Sequence, residues 1–253
     1  MIKILLCGVA GRMGREIISA AQDTDDITIC AGVEVPEHTS IGNMISGIAV
    51  TDDITTVVEN CDCVVDFTHH TATVSTLDRI KKYKKPFVTG TTGFTEQEQK
   101  TIQVISKCVP IFWAPNMSVG VNHMYRLIES SLGLLRDFDI EVIETHHRAK
   151  KDAPSGTAKR IAGIIKEKKP DTQFVYGREG HTGERNRQEV SIHSIRGGDV
   201  AGEHRVLFLG KGEFLELRHY ATSRRCFAMG ALNAVRYMVG KPPGLYTMQH
   251  LVT

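Results

Sequence analysis

The amino-acid sequence predicts an α/β fold in which a Rossmann-like, doubly wound parallel sheet domain is joined to a smaller α+β domain. Residues 1 to about 117 repeat a short apolar strand, a turn of small residues and an amphipathic stretch of about three helical turns. Beyond residue 117, strands follow strands and alternate between apolar and polar positions. A length of 253 residues also lies where a single core begins to divide in two.

The strands of the first region lack polar alternation, so we expect burial on both faces, as in a parallel sheet. The predicted strands are Ile2–Cys7, Ile27–Val33, Cys63–Phe67, Phe87–Thr89 and Ile111–Trp113. The clearest helices are Met13–Ala21, Thr73–Tyr83 and Thr95–Ser106.

The second region predicts a mixed or antiparallel sheet with one face free to pack. Its helices are Val119–Leu135 and Ser155–Lys168, and its strands are Ile140–Thr145, Gln188–Ile195, Glu203–Leu209 and Glu213–Tyr220, of which the last three suggest antiparallel pairing. Residues 177–187 hold three glycines and predict an exposed, mobile loop. A last helix, Arg225–Val239, is expected to return to the first domain, which gives domains of 1–117 plus 226–253 and of 118–225.

Composition narrows the classes of function. With 41% hydrophobic residues, 24% charged residues and a formal charge of +2, the chain is an ordinary globular protein with no sign of nucleic-acid binding. No apolar run approaches the roughly 20 residues that span a bilayer, and the N-terminus meets glycine too early for a signal peptide, so we expect a cytoplasmic protein without membrane contact. Six scattered cysteines without CxxC spacing predict reduced core residues and no metal site.

A glycine turn after the first strand predicts dinucleotide binding. Its residues are Gly8, Val9, Ala10, Gly11, Arg12, Met13 and Gly14, and they open a helix. Glycines let backbone N–H groups approach a pyrophosphate, and Glu34, at the end of the second strand about 20 residues later, can bind both ribose hydroxyls. The spacing GxxGxxG departs from GxGxxG, so a plain tight turn is the alternative for the motif by itself.

Two further strand ends carry turns that would point into the same crevice, where a nicotinamide would lie. They are Gly90-Thr91-Thr92-Gly93 and Ala114-Pro115-Asn116-Met117. Without the first motif, ordinary turn chemistry would explain both.

The segment from Glu144 to Thr157 is suited to bind an anion and to transfer a proton. Ser155, Gly156 and Thr157 begin a helix whose free N–H groups can hold a carboxylate, and Lys150 can neutralise it. His146 or His147 supplies a group that titrates near neutral pH. The alternative is a solvated basic loop that caps a helix.

Other polar residues receive supporting roles. His69 and His70 could border the nicotinamide or be solvated. Arg196-Gly197-Gly198-Asp199 suits a loop that closes over a dianion, and His204, Arg224 and Arg225 follow it.

Several of these motifs, in order along essentially the full chain, resemble those of dihydrodipicolinate reductases. They are residues 8–14, Asp66-Phe67-Thr68, residues 90–94, residues 114–122, residues 144–157, and residues 196–199 followed by Gly202-Glu203-His204. The segment ending in Asp152-Ala153-Pro154-Ser155-Gly156-Thr157 is the most specific to that family.

The resemblance implies a nicotinamide-dependent reductase of lysine biosynthesis acting on a cyclic dicarboxylate, with the middle domain building a homotetramer through its sheet. It implies that His146 donates a proton, that Lys150 supports it, and that His147 contacts the substrate. Ser155, Gly156 and Thr157 would hold a substrate carboxylate. Val35 stands where many relatives place a basic residue, so we expect NADH to be preferred and NADPH tolerated.

Two alternatives differ in chemistry. A nicotinamide dehydrogenase of a semialdehyde or of homoserine would share the domain plan but would not need the His146, His147 and Lys150 cluster. A redox-sensing dinucleotide-binding regulator would carry a DNA-binding helix pair or a basic stripe, and the sequence has neither.

Overall fold

A computed structural model describes residues 1–252. Its strands are β1 Ile2–Cys7, β2 Ile27–Val33, β3 Met44–Ile45, β4 Ile48–Thr51, β5 Cys63–Asp66, β6 Phe87–Thr89, β7 Pro110–Trp113, β8 Asp139–His146, β9 Gln173–Val175, β10 Glu189–Arg196, β11 Gly202–Leu209, β12 Phe214–Ala221 and β13 Gly244–Tyr246. Its α-helices are α1 Arg12–Gln22, α2 His70–Ile80, α3 Glu96–Ile105, α4 Val119–Leu134, α5 Gly156–Lys168, α6 Arg225–Met238 and α7 Met248–Leu251. Short 3₁₀ turns lie at Ile54–Thr56, Val58–Asn60 and Lys81–Tyr83.

The chain divides into two compact units, and the predicted fold class is confirmed. The first comprises Met1–Val119 and the residues from Arg224 onward, and the second comprises Gly120–Ser223.

The first unit is built on an eight-stranded sheet in the order β13-β7-β6-β5-β1-β2-β4-β3. Every pairing in it is parallel except that of β3 with β4. Successive residues of β1 enter different cores: Ile4 and Leu6 pack in one cluster, and Leu5 and Cys7 in another. Both faces of the sheet are therefore covered, which explains the continuous apolar runs.

The second unit contains a five-stranded sheet in the order β12-β11-β8-β10-β9. β11 pairs antiparallel with β8 and β12, whereas β10 runs parallel to both β8 and β9. The antiparallel pairing suggested by the alternation of β10 is thus wrong. The connection from β8 to β10 contains α5 and is long enough to return the chain in the same direction, as parallel strands require.

One face of β8 leads from the core of the second unit to its polar centre. Ile140, Val142, Glu144 and His146 are buried alternate residues, and the first two pack with α4 and α5. Because alternate residues of a strand share a face, the carboxylate and the imidazole continue the row of core side chains.

The cysteines only partly follow the prediction of reduced core residues. All six are free thiols, and Cys7, Cys61 and Cys63 are buried. Cys30 and Cys226 are partly buried, and Cys108 is exposed. The prediction was wrong for Cys108, which follows the C-terminus of α3.

Candidate active site

The glycine turn between β1 and α1 is so tight that Gly8 and Gly14 have no room for a side chain. Gly8 has a φ of +77°, and a Cβ added at Gly14 would lie 2.2 Å from the carbonyl oxygen of Gly8. Gly11 caps α1 without a side-chain hydrogen bond, and no acidic residue lies in the first turn. The start of α1 therefore presents the positive end of a helix dipole with no acidic side chain of its own first turn, which fits a pyrophosphate.

The other residues of this turn divide between core and surface. Val9 is completely buried, and a Cβ added at Gly32 would approach its Cγ1 to 2.7 Å. Ala10 and Met13 are partly buried, whereas Arg12 is exposed. Val9 can offer a ligand only its backbone, while the Arg12 side chain is free to move toward one.

Glu34 lies directly after β2, against the glycine turn. Its Oε1 accepts a hydrogen bond of 2.7 Å from the backbone N–H of Ala10. Val35 beside it is 54% exposed. The acid predicted to bind the ribose is thus held at the turn, with an uncharged neighbour.

The turn after β6 is held by threonine side chains. A Cβ at Gly90 would lie 2.1 Å from Cε1 of Phe67. Thr91 Oγ1 accepts hydrogen bonds from Thr68 N at 3.2 Å and from Thr73 Oγ1 at 3.1 Å. Thr91 is buried and its hydroxyl is engaged, so the exposed Thr92 is the side chain of this turn that is open to a ligand.

The turn after β7 is similarly divided. Ala114 and Met117 are buried in the core of the first unit, and Pro115 is exposed. The side-chain oxygen of Asn116 accepts a hydrogen bond of 2.9 Å from Ser118 N. The predicted cofactor contacts of Ala114 and Met117 would therefore involve main-chain atoms.

Asp66, at the end of β5, organises this end of the sheet. Its Oδ1 accepts hydrogen bonds from Thr68 N at 3.0 Å and Thr68 Oγ1 at 2.6 Å. Its Oδ2 is buried and has no hydrogen-bond partner among residues 1–252. Burial raises the pKa of Asp66 to about 6, against the opposing effect of hydrogen bonds from Thr68 and Thr73.

His69 and His70, at the start of α2, form a contact of their own. His70 Nδ1 lies 2.8 Å and 2.9 Å from the two carboxylate oxygens of Glu98, and the His69 ring centroid is 4.1 Å from that of His70. Glu98 also completes the capping box of α3 with Thr95. His70 therefore joins the starts of α2 and α3.

In the second unit, His146 is held by a completely buried carboxylate. Its Nδ1 lies 2.6 Å from Oε2 of Glu144, which is 0% exposed. A carboxylate can only accept, so Nδ1 carries the proton and Nε2 is the nitrogen left for chemistry. A Cβ added at Gly202 would lie 3.1 Å from that Nε2, so a side chain at this position would crowd the imidazole.

The charge of Glu144 is balanced from a neighbouring strand. Arg196 Nη1 and Nη2 donate to Oε2 and Oε1 of Glu144, each at 2.8 Å, and Nη2 also donates to the carbonyl of Asp152. Burial alone would raise the pKa of Glu144, but hydrogen bonds from His146 and Arg196 hold it well below its usual range. The guanidinium predicted to close over a dianion is instead bound to Glu144.

Ser155 begins α5 and is buried. Its Oγ accepts a hydrogen bond of 3.1 Å from Ala158 N and lies 2.8 Å from Nε2 of His204. Its backbone N–H donates to Glu144 Oε1 at 3.2 Å. The start of the helix is therefore tied to the Glu144 and His146 pair.

The other predicted substrate residues surround this helix start. Gly156 is exposed, Thr157 is 9% exposed and His147 is partly buried. Lys150 Nζ lies 2.8 Å from Oδ1 of Asp152. The structure thus gathers the helix start that is predicted to bind a carboxylate and the histidine that is predicted to donate a proton within the second unit.

Arg224 and Arg225, which received supporting roles in the sequence analysis, lie at the start of α6. Arg224 is the N-cap of α6, and Arg225 pairs with Asp23. Among residues 1–252, no group of three or more His, Cys, Asp or Glu side chains could hold a metal ion. Nor does any helix in that range combine the length and apolarity needed to cross a membrane.

Sequence reasoning missed the role of Glu144 and the partners of Ser155. One signal was present: Glu144 continues the period-2 row of Ile140 and Val142, so its carboxylate had to be buried and compensated. The partners Arg196 and His204 lie 52 and 49 residues away along the chain, and no local pattern indicates them.

Comparisons with known proteins indicate the same family over the full length of the chain. Two family models match, described as the N-terminus and the C-terminus of dihydrodipicolinate reductase, over residues 2–117 and 120–252. Relatives named 4-hydroxy-tetrahydrodipicolinate reductase from Geobacter metallireducens and Trichlorobacter lovleyi are 40% and 42% identical, each aligned over 100% of this chain and 99% of the relative. A dipicolinate-bound dihydrodipicolinate reductase from Paenisporosarcina sp. TG-14 has a TM-score of 0.79 at 24% identity, covering 98% of this chain and 97% of its own.

Proposed function

Since the chain belongs to the dihydrodipicolinate reductase family, it is a nicotinamide-dependent oxidoreductase of lysine biosynthesis, and we propose that His146 is the proton donor of its reaction. The reaction converts 4-hydroxy-tetrahydrodipicolinate to tetrahydrodipicolinate. Replacing the ring hydroxyl by hydrogen requires one hydride and one proton, and the hydroxyl leaves as water. The bound reduced nicotinamide supplies the hydride.

The contact between Glu144 and His146 carries the assignment of the proton. Glu144 accepts from Nδ1 of His146 at 2.6 Å, which directs the second ring nitrogen, Nε2, away from the carboxylate. The ionised carboxylate stabilises the imidazolium before transfer and keeps the proton on Nδ1 after it. His146 Nε2 thus delivers one proton and is left as a neutral ring in a defined orientation.

Ser155, Gly156 and Thr157 are proposed to hold one substrate carboxylate. The N-terminus of α5 presents backbone N–H groups and the positive end of the helix dipole to such an anion. Lys150 adds a positive charge, and its partner Asp152 is a partly exposed carboxylate that a substrate anion could replace. His147 contacts the substrate beside them. These residues orient the ring and place its reacting atoms near His146.

Cofactor binding is assigned to the first unit. The pyrophosphate is assigned to the glycine turn at the start of α1, which consists of Gly8, Val9, Ala10, Gly11, Arg12 and Met13. Gly90, Thr91 and Thr92, with Ala114, Pro115, Asn116 and Met117, surround the nicotinamide half. Glu34 receives the ribose hydroxyls, so NADH is preferred and NADPH is tolerated.

The protein is further proposed to act as a homotetramer in the cytoplasm, on a small-molecule dicarboxylate. The support for assembly is apolar exposure on the face of the second unit's sheet opposite to Glu144, where Ile195, Phe214 and Tyr220 are 49%, 64% and 49% exposed. Apolar side chains on one sheet are typical of a surface that pairs with another copy.

An absorbance assay tests the proposed function. The substrate is generated in place from pyruvate and aspartate semialdehyde, and the loss of reduced nicotinamide is followed. Wild type should oxidise the cofactor only when the substrate is supplied, and His146→Gln should bind cofactor normally while kcat falls by about 10²–10⁴-fold. A kcat of the variant within threefold of wild type would remove His146 from this role. Oxidation of the cofactor with aspartate semialdehyde alone would instead favour the homoserine dehydrogenase, because hydride from the cofactor reduces that aldehyde to homoserine.

A further inference from the structure

His204 is a buried histidine with only one of its two nitrogens satisfied. It lies on β11 and is 4% exposed. Its Nε2 is 2.8 Å from Ser155 Oγ, whereas Nδ1 is buried with no hydrogen-bond partner among residues 1–252. Its ring lies edge-on to that of His146, with centroids 5.2 Å apart. The proposed function gives this residue no task.

The hydroxyl of Ser155 has one hydrogen to donate and two lone pairs to accept with. One lone pair is used by the N–H of Ala158 at 3.1 Å. The contact with His204 then has two possible directions. Either Ser155 donates its hydrogen to Nε2, or Nε2–H donates to the second lone pair of Ser155.

The two directions differ in what is left buried at Nδ1. If Ser155 donates, the proton of neutral His204 lies on Nδ1, and a buried N–H has no acceptor. If Nε2–H donates, Nδ1 is an unused lone pair. Buried N–H groups without an acceptor are rarer in proteins than acceptors without a donor. The second direction is therefore favoured, and it fills both lone pairs of Ser155.

We propose that His204, as the Nε2–H tautomer, is a positioning residue that leaves the Ser155 hydroxyl hydrogen free to donate to the substrate carboxylate. The inference rests on the proposed function for the identity of the ligand, but the tautomer does not depend on it. With the opposite tautomer, the hydroxyl hydrogen of Ser155 would be bound to Nε2, and the one remaining lone pair of Ser155 would face the anion and repel it.

The surroundings of His204 keep it neutral. Burial lowers its pKa to about 3, and the charges of His146, His219 and Lys150 act in the same direction, against the opposing charge of Glu144. His219 faces His204 from β12, and Glu144 faces it from β8. A neutral ring retains a single proton, so its position decides the direction of the contact with Ser155.

The first experiment reads the tautomer directly. Nitrogen-15 spectra of the full-length protein labelled at histidine, at neutral pH and without ligand, should show His204 protonated at Nε2 and bare at Nδ1. The signal is assigned by its loss in His204→Gln. Protonation at Nδ1 would overturn the inference, whatever the enzyme's activity proves to be.

The second experiment measures the consequence for binding. Calorimetry with pyridine-2,6-dicarboxylate compares wild type, His204→Gln, which can place an amide N–H near the Nε2 position, and His204→Met, which has no donor. We expect the methionine variant to bind about tenfold to a hundredfold more weakly, the loss of one charge-assisted hydrogen bond, and the glutamine variant within about threefold of wild type.

A double-mutant cycle separates positioning from general damage to the site. In a Ser155→Ala background, His204→Met should have no further effect on dicarboxylate affinity, because the hydroxyl it controls is gone. An undiminished loss in that background, or no loss in either, would overturn the proposal. If wild type itself fails to bind the dicarboxylate, the proposed function fails, while the tautomer measurement stands by itself.

Discussion

Oε2 of Glu144 lies 2.6 Å from Nδ1 of His146, two positions along the same buried face of β8. The same carboxylate accepts two hydrogen bonds from Arg196 and one from the N–H of Ser155. One buried charge therefore orients the proposed proton donor and anchors the proposed carboxylate site. Its removal should affect catalysis and stability together.

Glu144→Gln keeps the shape of the side chain but removes its charge, and it turns an N–H₂ group toward a donor of His146 or Arg196. We expect kcat to fall by about a hundredfold or more, and the free energy of unfolding to fall by about 3–5 kcal/mol, as when a buried ion pair loses one partner. Steady-state kinetics and denaturant unfolding measure the two effects.

Glu167→Gln is the matched control, because Glu167 pairs with Arg160 on α5 and both side chains are largely exposed. It should change stability by less than about 1 kcal/mol and leave kcat unaltered. Equal behaviour of the two glutamine variants would contradict the role given to Glu144.

Lys150→Ala should raise KM for the substrate and lower kcat, because its ammonium is proposed to bind the substrate anion and to stabilise charge near the transferred proton. Loss of one such contact corresponds to about 1.5–3 kcal/mol, or tenfold to a hundredfold in kcat/KM. Lys151→Ala, which removes the exposed neighbouring lysine, is the control. If both variants keep wild-type constants, Lys150 has no part in the site.

Planar aromatic dicarboxylates such as pyridine-2,6-dicarboxylate should inhibit competitively against the substrate. They present one carboxylate to the start of α5 and a second to its basic surroundings. Pyridine-2-carboxylate lacks the second contact and should bind about tenfold to a hundredfold more weakly. Inhibition constants for the two compounds check this, and equal values would argue against a clamp for two anions.

NADH should be favoured over NADPH in kcat/KM by about 1–2 kcal/mol, somewhat under a hundredfold. Glu34 is held at the turn by the N–H of Ala10, 2.7 Å from its Oε1, where a 2′-phosphate would meet a like charge. Arg12 should offset this partly, because its exposed guanidinium can offer the phosphate charge-assisted hydrogen bonds. A tenfold preference of wild type for NADPH would show that Arg12 outweighs Glu34.

Val35→Arg tests the same cofactor preference by adding a positive charge next to Glu34, which should favour NADPH. Val35 is 54% exposed, so an arginine should fit there without disturbing the core. We expect kcat/KM for NADPH to rise by about tenfold or more, the gain of one charge-assisted phosphate contact. Val35→Gln, with a long but uncharged side chain, should give no comparable gain.

Asp66 should make stability depend on pH. Burial raises its pKa from 3.8 to about 6, so the folded protein binds this proton more tightly than the unfolded chain does. Its contribution to stability is complete below about pH 4 and is lost as the pH rises through about 6. A shift of about two pKa units corresponds to about 3 kcal/mol.

Asp66→Asn lacks this titration. Between about pH 4 and pH 7, the free energy of unfolding of wild type should therefore fall relative to that of the variant by up to about 3 kcal/mol. Denaturant unfolding at several pH values measures the difference, and Asp171→Asn controls for the loss of an exposed carboxylate. A constant difference across this range would show that Asp66 keeps an ordinary pKa.

The strands that the sequence predicted and those it missed differ in burial and in position within the sheet. The apolar runs of β1, β2 and β5 to β7 predicted the parallel sheet because both of its faces are covered. The strands β3, β4, β9 and β13 contain no more than four residues, as do β5 to β7, but they pair at the sheet margins and are less buried, so they lack the continuous apolar run that predicts a strand. The direction of β10 also escaped prediction, since alternation reports which face is buried and not how the strand is paired.

The sequence by itself determined the fold class, the glycine turn with Glu34, and the segment in which His146, Lys150 and Ser155 lie. Each of these depends on neighbours in the chain: periodicity, turn chemistry and the start of a helix. Tertiary structure alone decided which groups satisfy the buried charges and hydroxyls. The pairing of Glu144 with Arg196 and of Ser155 with His204 follows from the register of β8 with β10 and β11. Hydrogen bonds between neighbouring strands join residues distant along the chain, and whether a buried group is compensated depends on those contacts.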